Sequence, residues 1–237
     1  MVIGSSSTSA ETFAKALRRL CIVVIFAFAF AYIEAAVVVY LRAIFHADGF
    51  SFPLTSLAPG EPFRRLLLVE VGREVATLVL ICTGAWLSGR NGAQRFAFFA
   101  TIFAVWDIFY YVWLKILIDW PGSVMDWDLL FLIPVAWASP VLAPVIVSAI
   151  LFGFAVVIIK CDASGRPVRV RVADWVGFSV AGLVVVCSFC MAGVHISEAA
   201  YREHFSWPLF FVGCVAAIAL FVKCVLRSRA FRPGSAC

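Results

Sequence analysis

Long apolar stretches separated by short polar ones run along nearly the whole chain, and six of them are long enough to predict membrane-spanning helices. A helix needs about 20 mostly apolar residues to cross the hydrocarbon core of a bilayer. The predicted spans are about 20–42, 64–88, 96–119, 129–159, 174–195 and 207–226. The pattern therefore predicts an all-α fold, a polytopic bundle of six transmembrane helices. We expect one integral membrane domain over 1–237, with cytosolic tails at 1–18 and 227–237.

The fourth predicted span differs from the others, because 129–159 carries no charge and is too long for one straight crossing at about 1.5 Å per residue. It also contains Pro134, Pro140 and Pro144. Proline removes a backbone donor and kinks a helix. We therefore expect a proline-broken fourth helix, with 131–140 lying at the outer surface or dipping into the membrane before the true span.

Composition agrees with a membrane environment. The chain is 64% hydrophobic and 14% charged, with a mean hydropathy of +1.02, whereas a soluble domain is about 45–50% apolar and about 25% charged. The net charge of +5 does not predict nucleic-acid binding, because no polar domain carries a basic surface. The predicted partner is the lipid bilayer, and a membrane-protein partner or a homo-oligomer is also possible.

The distribution of basic residues predicts orientation. Thirteen of the 19 Lys and Arg residues fall on one side of this arrangement, in the 88–96 and 160–173 loops and in or within four residues of the two tails, whereas the 119–128 loop has three aspartates and no cation. Lys and Arg favour the cytoplasmic side. We therefore expect both termini in the cytosol, most simply at a bacterial inner (plasma) membrane. The outer connection 43–63, rich in Gly and Pro, is a candidate lid.

Charged residues inside the predicted spans mark a candidate site. A charge at mid-bilayer costs about 2.5–3.5 kcal/mol on insertion scales, so such residues are rare and commonly functional. Residues three or four apart share a helix face, which predicts one polar face on the second span and another on the third. The first span adds Glu34; the second contributes Glu70, Arg73, Glu74 and Thr77; the third contributes Asp107, Tyr111 and Lys115, with Tyr110 adjacent.

The predicted site holds four carboxylates and two cations, so it either keeps protons on some carboxylates or binds a cation. Carboxylate-rich sites suit Mg²⁺, Ca²⁺ or Mn²⁺, and sites that add histidine suit iron or zinc. A divalent metal is thus a possible cofactor, and His46, His195 or His204 is a possible additional ligand. The predicted roles are catalytic for Glu70, Glu74 and Asp107; substrate-binding for Arg73, Lys115, Tyr110 and Tyr111; and metal-binding for Glu34, Glu70, Glu74 and Asp107.

Several functions are compatible with these residues. The favoured hypothesis is a buried carboxylate/Arg/Lys site, open to the extracytoplasmic side, that binds a cation or metal and acts on a small or lipid-like substrate. The alternatives are a proton- or cation-coupled transporter and a non-catalytic subunit of a larger membrane complex. The same charges also suit a purely structural ion-pair network. The chain has no motif of a soluble enzyme family, and whether it is an enzyme stays open.

Overall fold

The computed structural model describes residues 4–45 and 61–230 of the chain. Most of these residues belong to six long α-helices. Their bounds are α1 Gly4–Phe45, α2 Glu61–Ser88, α3 Gly92–Ile118, α4 Leu142–Ala163, α5 Val172–Val194 and α6 Trp207–Ala230. Strands β1 Trp127–Phe131 and β2 Trp137–Pro140 form an antiparallel hairpin between α3 and α4, and a 3₁₀ helix, Tyr201–His204, precedes α6.

Five stretches of helix are long and apolar enough to cross a membrane, which indicates an integral membrane protein. They are Ala14–Ile44, Gly92–Ile118, Leu142–Ala163, Val172–Val194 and Tyr201–Ser228. Helix α2 is not one of them and is the least hydrophobic of the six long helices. The predicted count of six spans is therefore not confirmed. Helix α1 begins at Gly4, so most of the predicted tail 1–18 is helical.

The hairpin shows that the fold is mainly but not entirely α-helical, and the predicted proline-broken fourth helix over 129–159 is not confirmed. Its register pairs Trp127 with Pro140 and Leu129 with Ala138. Pro140 ends β2, and helix α4 begins two residues later. Pro144 lies in the first turn of α4, where backbone N–H groups have no partner within the helix and proline is tolerated. The prolines thus separate a hairpin from a helix.

Both ends of the hairpin are fixed to neighbouring backbone. At the start of α4, the Val141 and Leu142 N–H groups donate to the Asp126 and Val124 carbonyl oxygens at 2.9 and 2.8 Å. At the turn, Gly193 of α5 packs so closely that a Cβ atom there would collide with the Ala136 carbonyl and lie 3.0 Å from the Trp137 nitrogen. The hairpin is therefore a fixed part of the packing.

Helix α3 lies at the centre of one half of the bundle and packs against α1, α2 and α4, while α5 packs against α6 and β2. Helices α1 and α2 barely touch each other. This packing leaves a space bounded by α1, α2, α3 and the hairpin.

Candidate ligand-binding cavity

A cavity of about 420 Å³ occupies the space between α1, α2, α3 and the hairpin. It is formed by the C-terminal parts of α1 and α3 and the N-terminal half of α2, so it lies at the end of the bundle away from the start of α1 and the end of α6. Most of the lining is leucine, valine and aromatic. Seven charged residues also line it: Glu34, Arg42, Glu70, Arg73, Glu74, Asp107 and Asp128.

Arg73 links α2 to α1. Its guanidinium donates to Glu34 of α1 and to Glu70 one turn earlier on α2, with Nε 2.9 Å from Glu70 Oε2. Thr77 adds a hydrogen bond from its hydroxyl to Glu34 Oε2 at 3.2 Å. Glu34 and Thr77 are buried. The predicted polar face of α2 thus reaches the carboxylate predicted on α1.

Glu74, on the same face of α2, is directed to the hairpin instead of to Arg73. Its two oxygens accept the Leu132 backbone N–H at 3.1 and 2.9 Å. Leu132 follows directly after β1, where the strand pairing ends. The carboxylate therefore caps a backbone donor that the hairpin leaves without a strand partner.

Asp107 lies on the α3 wall and is buried. Its Oδ2 accepts a hydrogen bond from the Ser148 hydroxyl of α4 at 2.8 Å. Among the described residues, no lysine or arginine forms an ion pair with Asp107 or with Glu74. These two carboxylates rely on neutral donors, whereas Glu34 and Glu70 share a guanidinium.

Sequence reasoning missed a second ion pair, between Arg42 of α1 and Asp128 of β1. Arg42 Nη2 lies 3.3 Å from Asp128 Oδ1, and its guanidinium stacks on the Trp120 ring at 3.9 Å. Burial raises the pKa of Asp128 to about 6, although Arg42 and the hydroxyls of Tyr110 and Tyr111 act to lower it. Arg42 follows Glu34 by eight residues on one helix, which was a usable sign that it shares the polar face.

Three buried polar atoms in residues that line the cavity have no hydrogen-bond partner among the described residues. They are the indole Nε1 atoms of Trp106 and Trp137 and Asp128 Oδ2. The Tyr110 and Tyr111 hydroxyls are close enough to Asp128 to affect its pKa but do not complete a hydrogen bond to that oxygen. A buried polar group without a partner costs about 1–3 kcal/mol. Such groups are uncommon in native proteins, where buried polar atoms have a protein, water or ligand partner.

The cavity brings together most of the residues predicted for the site: Glu34, Glu70, Arg73, Glu74, Asp107, Tyr110 and Tyr111. Lys115 does not line it. Its Nζ lies 2.7 Å from Asp119 Oδ1, where both side chains are exposed, and this contact lowers the pKa of Asp119. His46 and most of the predicted lid 43–63 lie outside the described residues.

The predicted histidine ligands lie elsewhere. His195 and His204 do not line the cavity, and together with Glu198 they form a separate group. Among the described residues, that group alone places three potential ligand atoms within 4.8 Å of one another, and the cavity carboxylates do not meet that spacing. Metal binding by Glu34, Glu70, Glu74 and Asp107 stays a prediction. Comparisons of the chain with protein-family models, with curated proteins and with solved structures find no match.

Proposed function

We propose that this membrane protein binds the polar end of a lipid-like molecule in the cavity, and that the bound group carries a positive charge and an oxygen that accepts hydrogen bonds. The observation that carries the proposal is the set of unpartnered buried polar atoms in the cavity lining, at Trp106, Trp137 and Asp128. The two indole N–H groups require an acceptor. The volume of about 420 Å³ falls within the range of small-molecule sites.

The charge balance of the lining favours a cationic group. Five carboxylates face two guanidiniums, which leaves three negative charges if every group is ionised. Arg73 and Arg42 already pair with carboxylates. Glu74 and Asp107 have neutral donors only, so an ammonium group beside them would gain two charge-assisted partners.

The apolar part of the lining favours a lipid chain. Val38 and Leu41 of α1 and Leu66 and Leu67 of α2 line the cavity where these two helices barely touch. Leu67 is also partly exposed. A lipid-like molecule would place its polar end among the charges and its chain along these leucines.

Acid–base chemistry on the bound molecule is part of the proposal. Glu70 shares the Arg73 guanidinium with Glu34, whereas Glu74 and Asp107 have no cationic ion-pair partner among the described residues. Of the three residues predicted to be catalytic, Glu74 and Asp107 are therefore the stronger candidates for general acid or base.

Two lysophospholipids that share an oleoyl chain and a phosphoglycerol backbone test the proposal, because only lysophosphatidylethanolamine carries an ammonium group. Binding to the protein in amphipol would be followed by native mass spectrometry. We expect saturable one-to-one binding that is at least tenfold tighter for the ethanolamine lipid than for lysophosphatidylglycerol. Asp107→Asn and Glu74→Gln should each remove most of that preference.

Asp119→Asn is the matched control, since Asp119 is a carboxylate at the end of α3 outside the cavity. It should leave the preference unchanged. Equal affinity of the two lipids in the wild type, or an unchanged preference in both cavity variants, would contradict the proposal. Elemental analysis of wild type beside the Glu70→Gln/Asp107→Asn double variant tests the metal prediction separately.

We also propose that all six long helices cross the membrane and that both termini lie in the cytosol of a bacterial inner membrane. The basic loops and tails support this orientation. It places the cavity in the extracytoplasmic half of the bundle. A fluorescent protein that folds only in the cytosol, fused after Cys237, should fluoresce, while the same fusion in the 119–128 loop should not.

A further inference from the structure

Two histidines and a glutamate meet in the connection between α5 and α6, apart from the cavity. His195 Nδ1 lies 2.7 Å from Glu198 Oε1, and His204 Nε2 lies 3.7 Å from Glu198 Oε2. The two imidazole rings stack with centroids 3.7 Å apart and planes 14° from parallel. All three potential ligand atoms lie within 4.8 Å of one another.

The backbone that carries these side chains is fixed by buried neighbours. Ile196, Tyr201 and Phe205 are buried in the core, and the Tyr201 ring packs edge-on against Trp127 of the hairpin at 4.8 Å. The Glu198 N–H donates to the His195 carbonyl oxygen at 2.9 Å. The three polar side chains are partly or largely exposed on this anchored turn, so an ion could reach them without unfolding the segment.

The donor set indicates the metal. Two imidazole nitrogens and one carboxylate are a common zinc ligand set, with metal–ligand distances of about 2.0–2.2 Å. Oxygen-preferring ions such as Mg²⁺ and Ca²⁺ are a poorer match, because two of the three donors are nitrogen. Three protein ligands leave a fourth position of a tetrahedral ion for water or an external ligand.

We infer that His195, Glu198 and His204 form a binding site for a divalent transition metal, with zinc as the best match. The inference does not depend on the lipid proposal, because none of the three residues lines the cavity. Bound zinc would tie the end of α5 to the 3₁₀ helix before α6. The same segment contacts the hairpin through Tyr201 and Trp127, so the metal would also brace one wall of the cavity.

The site can be tested by treating the full chain with a chelator and then titrating it with zinc in detergent, with binding measured by isothermal calorimetry. We expect one zinc ion per chain in the wild type and at least 100-fold weaker binding in His195→Gln and in His204→Gln. Glu198→Gln should weaken binding about tenfold. In the wild type, the midpoint of thermal unfolding should rise with zinc concentration, since the ion binds only the folded state.

Glu203→Gln is the matched control, because it removes an exposed acidic residue beside His204 that is not in the group. It should bind zinc as the wild type does. Equal unfolding midpoints of all metal-free proteins would show that the variants are folded. Absence of saturable binding in the wild type, or unchanged affinity in both histidine variants, would overturn the inference, whatever the lipid experiment gives.

Discussion

Both carboxylate oxygens of Glu74 accept the backbone N–H of Leu132, so one side chain on a charged helix holds the end of a β-strand. The contact joins residues 58 positions apart in the chain. It also fixes the hairpin that closes one side of the cavity.

Glu74→Ala should loosen this end of the hairpin. The Leu132 N–H, which is partly buried, would lose its acceptor, and a fully buried donor without a partner costs about 1–3 kcal/mol, which is the upper limit here. We expect a free energy of unfolding lower by at most that amount and faster hydrogen exchange at the Leu132 amide. Glu74→Gln keeps one acceptor oxygen and should lower the free energy of unfolding by less. If the two variants exchange the Leu132 amide at the same rate, the contact does not hold the strand.

The Glu34–Arg73 pair should show strong energetic coupling. Removing one partner of a buried ion pair costs about 3–5 kcal/mol, because the other charge stays buried. A double-mutant cycle with Glu34→Gln and Arg73→Gln, measured by unfolding in mixed micelles, should give a coupling above about 1 kcal/mol. The exposed pair Lys115–Asp119 is the control and should show no measurable coupling. Additive effects of the two cavity substitutions would contradict this assignment.

Asp128 should make stability depend on pH. Its pKa is raised from 3.8 to about 6 in the folded protein, so between these values the folded state binds more protons than the unfolded state. Stability should therefore fall as pH rises from about 4 to about 6, by at most about 3 kcal/mol from this group. Asp128→Asn should remove that part of the slope. Superimposable pH profiles of the free energy of unfolding for variant and wild type would show that Asp128 keeps an ordinary pKa.

Gly193→Ala should displace the hairpin, because a methyl group there collides with the Ala136 carbonyl. Overpacking of this kind costs about 1–3 kcal/mol, and we expect a lower unfolding midpoint and weaker lipid binding. Gly182→Ala is the control. Gly182 lies on the same helix, and a methyl group added there has no neighbouring atom within 4 Å. It should leave both quantities near wild type. Equal unfolding midpoints and equal lipid affinities of the two variants would show that the hairpin can move without loss of stability or binding.

The polar face of α2 could be predicted from the sequence, because helical spacing alone places Glu70, Arg73 and Thr77 on one side. The same reasoning predicts a polar face on α3, and Asp107 and Tyr111 from that face line the cavity. It also includes Lys115, which does not line the cavity. Lys115 instead pairs with Asp119, and both of these side chains are exposed.

The hairpin and its contacts could not be predicted in this way. A charge-free apolar run has no periodicity that distinguishes a strand from a buried helix, so the sequence predicts a proline-broken segment at 131–140, before the true span, and not a strand pair. Once the hairpin was missed, the pairing of Arg42 with Asp128 was also hidden, because it joins residues 86 positions apart. The indole groups of Trp106 and Trp137 gave no sign in the sequence that they would lack partners.

The low hydrophobicity of α2 bears on how the protein is made. The other long helices each contain a stretch that is long and apolar enough to cross a membrane. If α2 also crosses, as proposed above, Arg73 enters hydrocarbon at high cost unless a carboxylate meets it there, and Glu34 of α1 accepts a hydrogen bond from Arg73. Helix α1 is synthesised first. The order of the chain therefore presents the acceptor before the charge that needs it, so α2 should enter the bilayer as the partner of α1 and not as an independent segment.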